Sequence, residues 1–130
     1  MSETEKITIN LGLVDLGQVD LLVQEGFYSN RTDFIRTAIR NQLGTHAEAL
    51  RQTVARKTLV LGLQHYTRRD LEAVREAGEM LEIRVLGLAS IADDVDPGLA
   101  LETIDSVIVL GALRASPAVK SALKDRIQSP

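Results

Sequence analysis

Near the start of the chain, residues 6–11 read Lys-Ile-Thr-Ile-Asn-Leu. Strict polar/apolar alternation is the period of a strand with one buried face, so Ile7, Ile9 and Leu11 point one way and Lys6, Thr8 and Asn10 the other. Two helical periods follow at once. Leu16, Val19, Leu22 and Val23 recur at helical spacing, with Gly26 as a natural stop. Asn30 then stands where it caps a second helix, with Asp33 three residues on as its capping-box partner. In that helix Phe34, Ile35, Ala38, Ile39 and Leu43 form an apolar stripe, while Arg36 and Arg40 lie on another face as a solvated pair. One strand and two helices in so few residues cannot bury enough surface to be stable alone, and a single edge strand invites pairing with a copy of itself. Dimerisation is the physical expectation.

The segment from Lys6 to Leu11, followed by Glu25-Gly-Phe-Tyr-Ser-Asn-Arg-Thr-Asp-Phe-Ile-Arg-Thr-Ala-Ile-Arg40, is similar to the CopG-like ribbon-helix-helix family over the first third of the chain. The resemblance implies a homodimer in which two such strands pair antiparallel and enter the major groove of double-stranded DNA, as β-ribbon readers do. It places the base-reading positions on Lys6, Thr8 and Asn10, residue types that can donate to guanine, meet a thymine methyl and pair with adenine respectively. It places the phosphate anchor at the start of the second helix, on Asn30, Arg31 and Thr32, where free backbone N–H groups and the helix dipole favour an anion. A nickel-responsive branch of the family uses histidine and cysteine ligands, and that set is absent here.

Charge and composition narrow the class. The chain of 130 residues carries a net charge of −3, and residues 1–44 hold four basic against six acidic side chains, including Glu3 and Glu5 beside the reading strand. Any attraction to DNA therefore comes from a local arrangement of groups rather than from overall charge. The absence of cysteine excludes disulfides and thiolate chemistry. No signal peptide or membrane-length apolar run is visible, so a cytoplasmic protein without a membrane partner is expected. In the first helix Leu13, Val14 and Leu21 exceed what its own core needs, and Gly17 sits mid-helix at some cost in propensity.

Beyond the module, Thr45 and Glu48 have capping-box spacing and open a connecting helix through Arg56. The triplet Val-Leu-Gly then ends at Gly62, Gly87 and Gly111, a regular spacing that reads as an internal repeat. Each copy lies in an apolar run, at residues 59–63, 81–88 and 107–110, and each run precedes a helix start: Thr67 with Asp70, Asp96 with Pro97, and Ser116 with Pro117. Strand and helix alternating three times favour parallel strands with right-handed crossovers, in a small sheet or a short solenoid. Short helices cover one face of such a sheet, so the other must be hidden by the first helix or by a second subunit.

Little chemistry is evident. Asp93, Asp94 and Asp96 form the carboxylate cluster, but Asp96 is explained as a helix cap and no full cation loop is present. His46 and His65 lack ligand spacing. The glycines after Val-Leu are single, without the context of a phosphate loop, and no nucleophile motif is seen, so neither an enzyme nor a cofactor or metal is expected. The expected fold is α+β: a ribbon-helix-helix intertwined dimer module over residues 1–44, a connecting helix over 45–57, and a small α/β strand-helix repeat domain over 58–130 for oligomerisation or sensing. The function this implies is a sequence-specific DNA-binding transcriptional regulator, a repressor, acting as a homodimer or higher oligomer. Two alternatives stay open: an antitoxin of a toxin–antitoxin pair, and a scaffold that uses the acidic module only to dimerise.

Overall fold

The structure, a computed structural model, describes residues 4–128. They divide into two compact units, Thr4–Thr53 and residues 54–128.

In the first unit residues 5–12 have no ladder partner among the described residues, and Ile7 and Ile9 stand 73% and 57% exposed. The strand expected over residues 6–11 is not formed in the structure: a ladder requires a second strand, and none of the described strands pairs with this segment. Helix α1 (Leu13–Gln24) buries Val19, with Leu16, Leu22 and Val23 half-buried as their spacing requires. It ends in a Schellman arrangement. Gly26 adopts φ 85°, its N–H donates to the Val23 carbonyl, and Phe27 N–H reaches the Leu22 carbonyl at 3.0 Å. Helix α2 (Arg31–Thr45) begins at Asn30, whose side chain accepts the Asp33 amide at 2.8 Å. The Asp33 carboxylate returns to the Ser29 amide at 2.9 Å, one residue ahead of the amide expected from the capping box.

The capping box expected at Thr45 and Glu48 does not form. Thr45 closes α2 instead, its hydroxyl donating to the Gln42 carbonyl at 2.6 Å and so satisfying one of the acceptors left open at a helix end. Helix α3 (Ala47–Arg56) starts beyond His46, and Glu48 pairs with Arg51 and Gln52 inside it.

The second unit is a four-stranded sheet, parallel throughout, in the order β1-β2-β3-β4. Its elements are β1 (Val60–Tyr66), α4 (Arg68–Glu76), β2 (Leu81–Ile91), α5 (Pro97–Thr103), β3 (Ile104–Arg114), α6 (Pro117–Ala122), a 3-10 turn at Lys124–Arg126 and β4 (Ile127–Gln128). All three helix starts read from the sequence are in place. Thr67 and Asp70 form a reciprocal capping box, Asp96 accepts the Leu99 amide at 2.7 Å, and Ser116 accepts the Val119 amide at 3.2 Å. The strands run beyond the apolar stretches at their centres, and β4 is additional to the three expected.

Because each strand lies beside the one before it, right-handed crossovers carry every helix to the same face. Leu71 of α4, Leu99 and Ala100 of α5 and Val119 of α6 pack there against Ile83, Val85 and Ala89 of β2 and Val107 of β3 in one buried cluster. Each large side chain fully buried in this way contributes about 1.5–3 kcal/mol of transfer free energy. Arg126 secures the carboxyl-terminal end, its guanidinium donating to the Leu101 and Ile104 carbonyls at 2.6 and 2.7 Å.

The three Val-Leu-Gly triplets stand side by side: Val60, Val85 and Val109 share one cross-strand row, Leu61, Leu86 and Leu110 the next, and Gly62, Gly87 and Gly111 the third. The glycines adopt φ 124°, 138° and 115°. A Cβ on Gly87 would overlap the Gly62 carbonyl oxygen and one on Gly111 would overlap that of Gly87, whereas one on Gly62, in the first strand, would meet nothing. The row therefore needs glycine for its backbone at all three positions and for space at two. Gly62→Ala should cost about 2 kcal/mol from backbone strain alone, and Gly87→Ala or Gly111→Ala about 1–3 kcal/mol more because backbone must move. Urea unfolding of the three variants checks that order.

Candidate nucleic-acid interface

Lys6, Thr8 and Asn10 lie along the exposed segment ahead of α1, and all three side chains are open to solvent. Ile9 and Leu11 from the same segment join Val19 and Leu22 of α1 and Ile35 and Ile39 of α2 around an apolar cavity of about 440 Å³. That cavity occupies the place where a core would be. Val19 is the one described residue of either helix to be buried, while Ile39 and Leu43 of α2 remain exposed. Two short helices leave their apolar faces open in a single chain for the reason given by their size: too few neighbours exist to cover them.

The start of α2 is built by local hydrogen bonds. Asn30 and Asp33 fix the first turn as described, and Tyr28 meets Phe34 edge to face with ring centres 5.0 Å apart, holding the loop before the helix against its first turn. By position the amides of Arg31 and Thr32 have no acceptor within the helix. The Arg31 guanidinium is engaged with Asp20 of α1 through two hydrogen bonds, Nε to Oδ1 at 2.8 Å and Nη2 to Oδ2 at 2.9 Å. This fork-to-fork pair ties the two helices together. The hydrogen bonds from Arg31, and secondarily its charge, hold the Asp20 carboxyl below the usual carboxylate range, and Asp20 in turn raises Arg31. Sequence reading does not find this pair, because eleven residues separate its members and only the packing of α1 on α2 brings them together.

The remaining candidates have identifiable roles or neighbours. Asp96 caps α5. His46 approaches the Gln42 amide at 3.4 Å. His65 Nδ1 lies 2.6 Å from Ser90 Oγ in the cross-strand row that also contains Arg114, at the carboxyl ends of the strands. Among the described residues, no group of three or more His, Cys, Asp or Glu side chains could hold a metal ion, and no helix is long and apolar enough to cross a membrane.

The Ribbon-Helix-Helix transcriptional regulator family matches the chain over residues 2–120, a span that includes α1 to α5, the three long strands and part of α6. No curated protein and no solved structure matches.

The Asp20–Arg31 pair makes a pH prediction. A carboxylate whose folded pKa is depressed adds stability above its unfolded pKa and loses that contribution as pH falls through the folded value. NMR titration of the side-chain carboxyl should show Asp20 titrating below the ordinary Asp range, and Arg31→Ala should return it upward. An unshifted Asp20 in the native chain would show that the pair is not held in solution.

Proposed function

The chain belongs to the Ribbon-Helix-Helix transcriptional regulator family, and on that basis we propose that it is a dimeric, sequence-specific DNA-binding repressor. The observation that carries the reading is the open apolar face of the first unit. Ile9 and Leu11 line a cavity with both helices, and their segment has no ladder partner among the described residues. A second copy of the same segment satisfies both needs at once. It supplies the missing ladder for residues 6–11 and closes the cavity with a second set of apolar side chains. The pairing leaves Lys6, Thr8 and Asn10 on the outer face of a two-stranded ribbon, the element that fits the major groove.

In this reading the contacts divide by chemistry. Lys6 donates to guanine, Asn10 pairs with adenine in bidentate fashion, and Thr8 makes a hydrogen bond or a methyl contact; these read sequence. The start of α2 anchors a phosphate through the Arg31 and Thr32 amides, the Thr32 hydroxyl and the dipole of the helix that Asn30 caps, and such contacts position the protein without reading bases. Arg31 reaches a phosphate with its guanidinium only by leaving Asp20. Repression follows from occupancy of the operator. The acidic character of residues 1–44 favours one competing reading, a module that dimerises without binding DNA.

The deciding experiment is a salt-dependent gel shift on the promoter region of the protein's own gene, with random DNA as reference. Specific binding that weakens with salt supports the regulator, and no specific band supports the scaffold. Lys6→Ala and Asn10→Ala should each weaken specific binding by about 1–3 kcal/mol and relax base preference, with Thr8→Ala following in the same direction. Thr32→Ala should lower affinity for specific and random DNA alike. Equal losses on both DNAs for the strand variants would overturn the division of labour.

Ile9→Lys is expected to place two ammonium groups in the shared core and to dissociate the dimer. Sedimentation equilibrium of the full chain checks this. A variant that remains a folded dimer would contradict pairing through residues 6–11.

A further inference from the structure

The sheet's own connecting helices, α4, α5 and α6, lie on one face. On the other face Leu61, Leu86 and Leu110 form one continuous row, and Leu63 and Leu88 begin the next. Leu61 is 74% exposed and Leu63 is 61% exposed. By strand alternation the intervening glycines belong to the opposite face, so on this face the two rows stand next to one another. Polar groups stand only at its two ends. Arg84 and Glu82 lie at the amino end with Nε and Oε2 3.8 Å apart, and the His65–Ser90–Arg114 row crosses the carboxyl end. A contiguous apolar patch rimmed by polar residues is the mark of an interface.

We infer that this face is covered by the same face of a second copy of the chain, the copy that the ribbon already holds. The inference rests on the ribbon dimer proposed above, and the size of the face selects the occupant. Three strands about 4.8 Å apart and seven residues long at about 3.3 Å each present roughly 330 Å² per copy. A stable interface between free proteins needs about 800 Å² per partner. The face is thus too small to retain a partner arriving from solution at micromolar concentration. It suits an occupant already tethered, whose effective concentration is of millimolar order. It also suits a copy of itself: leucine rows pack on leucine rows, and the Arg84–Glu82 pair leaves no block of one sign at the amino end to repel the copy. A polyanion finds no counterpart in an apolar centre.

The absence of cysteine makes a direct test possible. Leu86→Cys and Leu88→Cys each place one thiol on the central strand of this face, close to any two-fold axis relating two copies, and Ser121→Cys places one on an exposed site of α6 as reference. Mild oxidation of the full-length variants at about 10 µM should yield disulfide-linked dimer from at least one strand variant roughly 100-fold faster than from the reference, the ratio of millimolar effective to micromolar bulk concentration. The rate should be independent of protein concentration and should collapse when Ile9→Lys is added. Circular dichroism confirms that each variant is folded, and two placements guard against a local defect in either.

Rates equal to the reference in a chain that sediments as a dimer would overturn the inference alone, showing a face left bare or covered from within its own chain by a segment such as α1. Fast linking that rises with protein concentration and survives Ile9→Lys would assign the face to a separate dimer and overturn the tethered pair. A monomeric native chain would overturn the ribbon reading, and this inference with it.

Discussion

The apolar surface shared by α1, α2 and the segment ahead of them is the constraint that the first unit has to satisfy. An amphipathic helix is stable in water only when its apolar stripe is covered. Here Val19 is covered, while Ile9, Leu11 and Ile39 border an open cavity. In the proposed dimer a second identical chain supplies the missing neighbours by symmetry. In that proposal the alternation of residues 6–11 assigns its two sides different work. One side has to enter the shared core, which leaves Lys6, Thr8 and Asn10 on the other.

The sheet unit faces a related but milder problem. Its helix-covered face holds a complete core, with Leu71, Ile83, Val85, Val107 and Leu123 fully buried, so it has what a folded unit requires. What it lacks is cover for a rectangle of leucines. The two units therefore differ in how strongly they ask for a partner. In the proposed dimer the partner gives the first a shared core, and by the further inference it hides a surface of the second. A chain organised in this way gains from having a single partner serve both needs.

Local hydrogen bonding explains which parts of the structure were legible in the sequence. Asn30, Thr67, Asp96 and Ser116 each cap a helix by reaching an amide three residues on, so spacing alone reveals them. The Val-Leu-Gly triplets were legible as a period, and parallel pairing turned that period into rows. Thr45 shows where spacing fails: its hydroxyl had two competing uses, and closing α2 prevailed over opening α3. Strand lengths were underestimated because β1 and β2 continue into His65 and Ser90, and β3 begins with Asp105 and Ser106 near its start, residues that interrupt an apolar run without interrupting a ladder. The ion pair of Asp20 with Arg31 and the bonds from Arg126 to the end of α5 depend on helix packing between distant positions, which carries no local signature. The outward residues of the segment 6–11 follow from alternation, while the role proposed for them rests on the resemblance to the family.

Amide hydrogen exchange over residues 6–11 of the native full-length chain tests the central claim most directly. An antiparallel ribbon across two copies bonds the amides of alternate residues to the partner strand and leaves those between them free. The account predicts slow exchange at alternate positions from Lys6 to Leu11, persisting as long as the dimer does. Exchange of all six amides at the rate of an unstructured chain, in a protein whose α1 and α2 amides are protected, would contradict it.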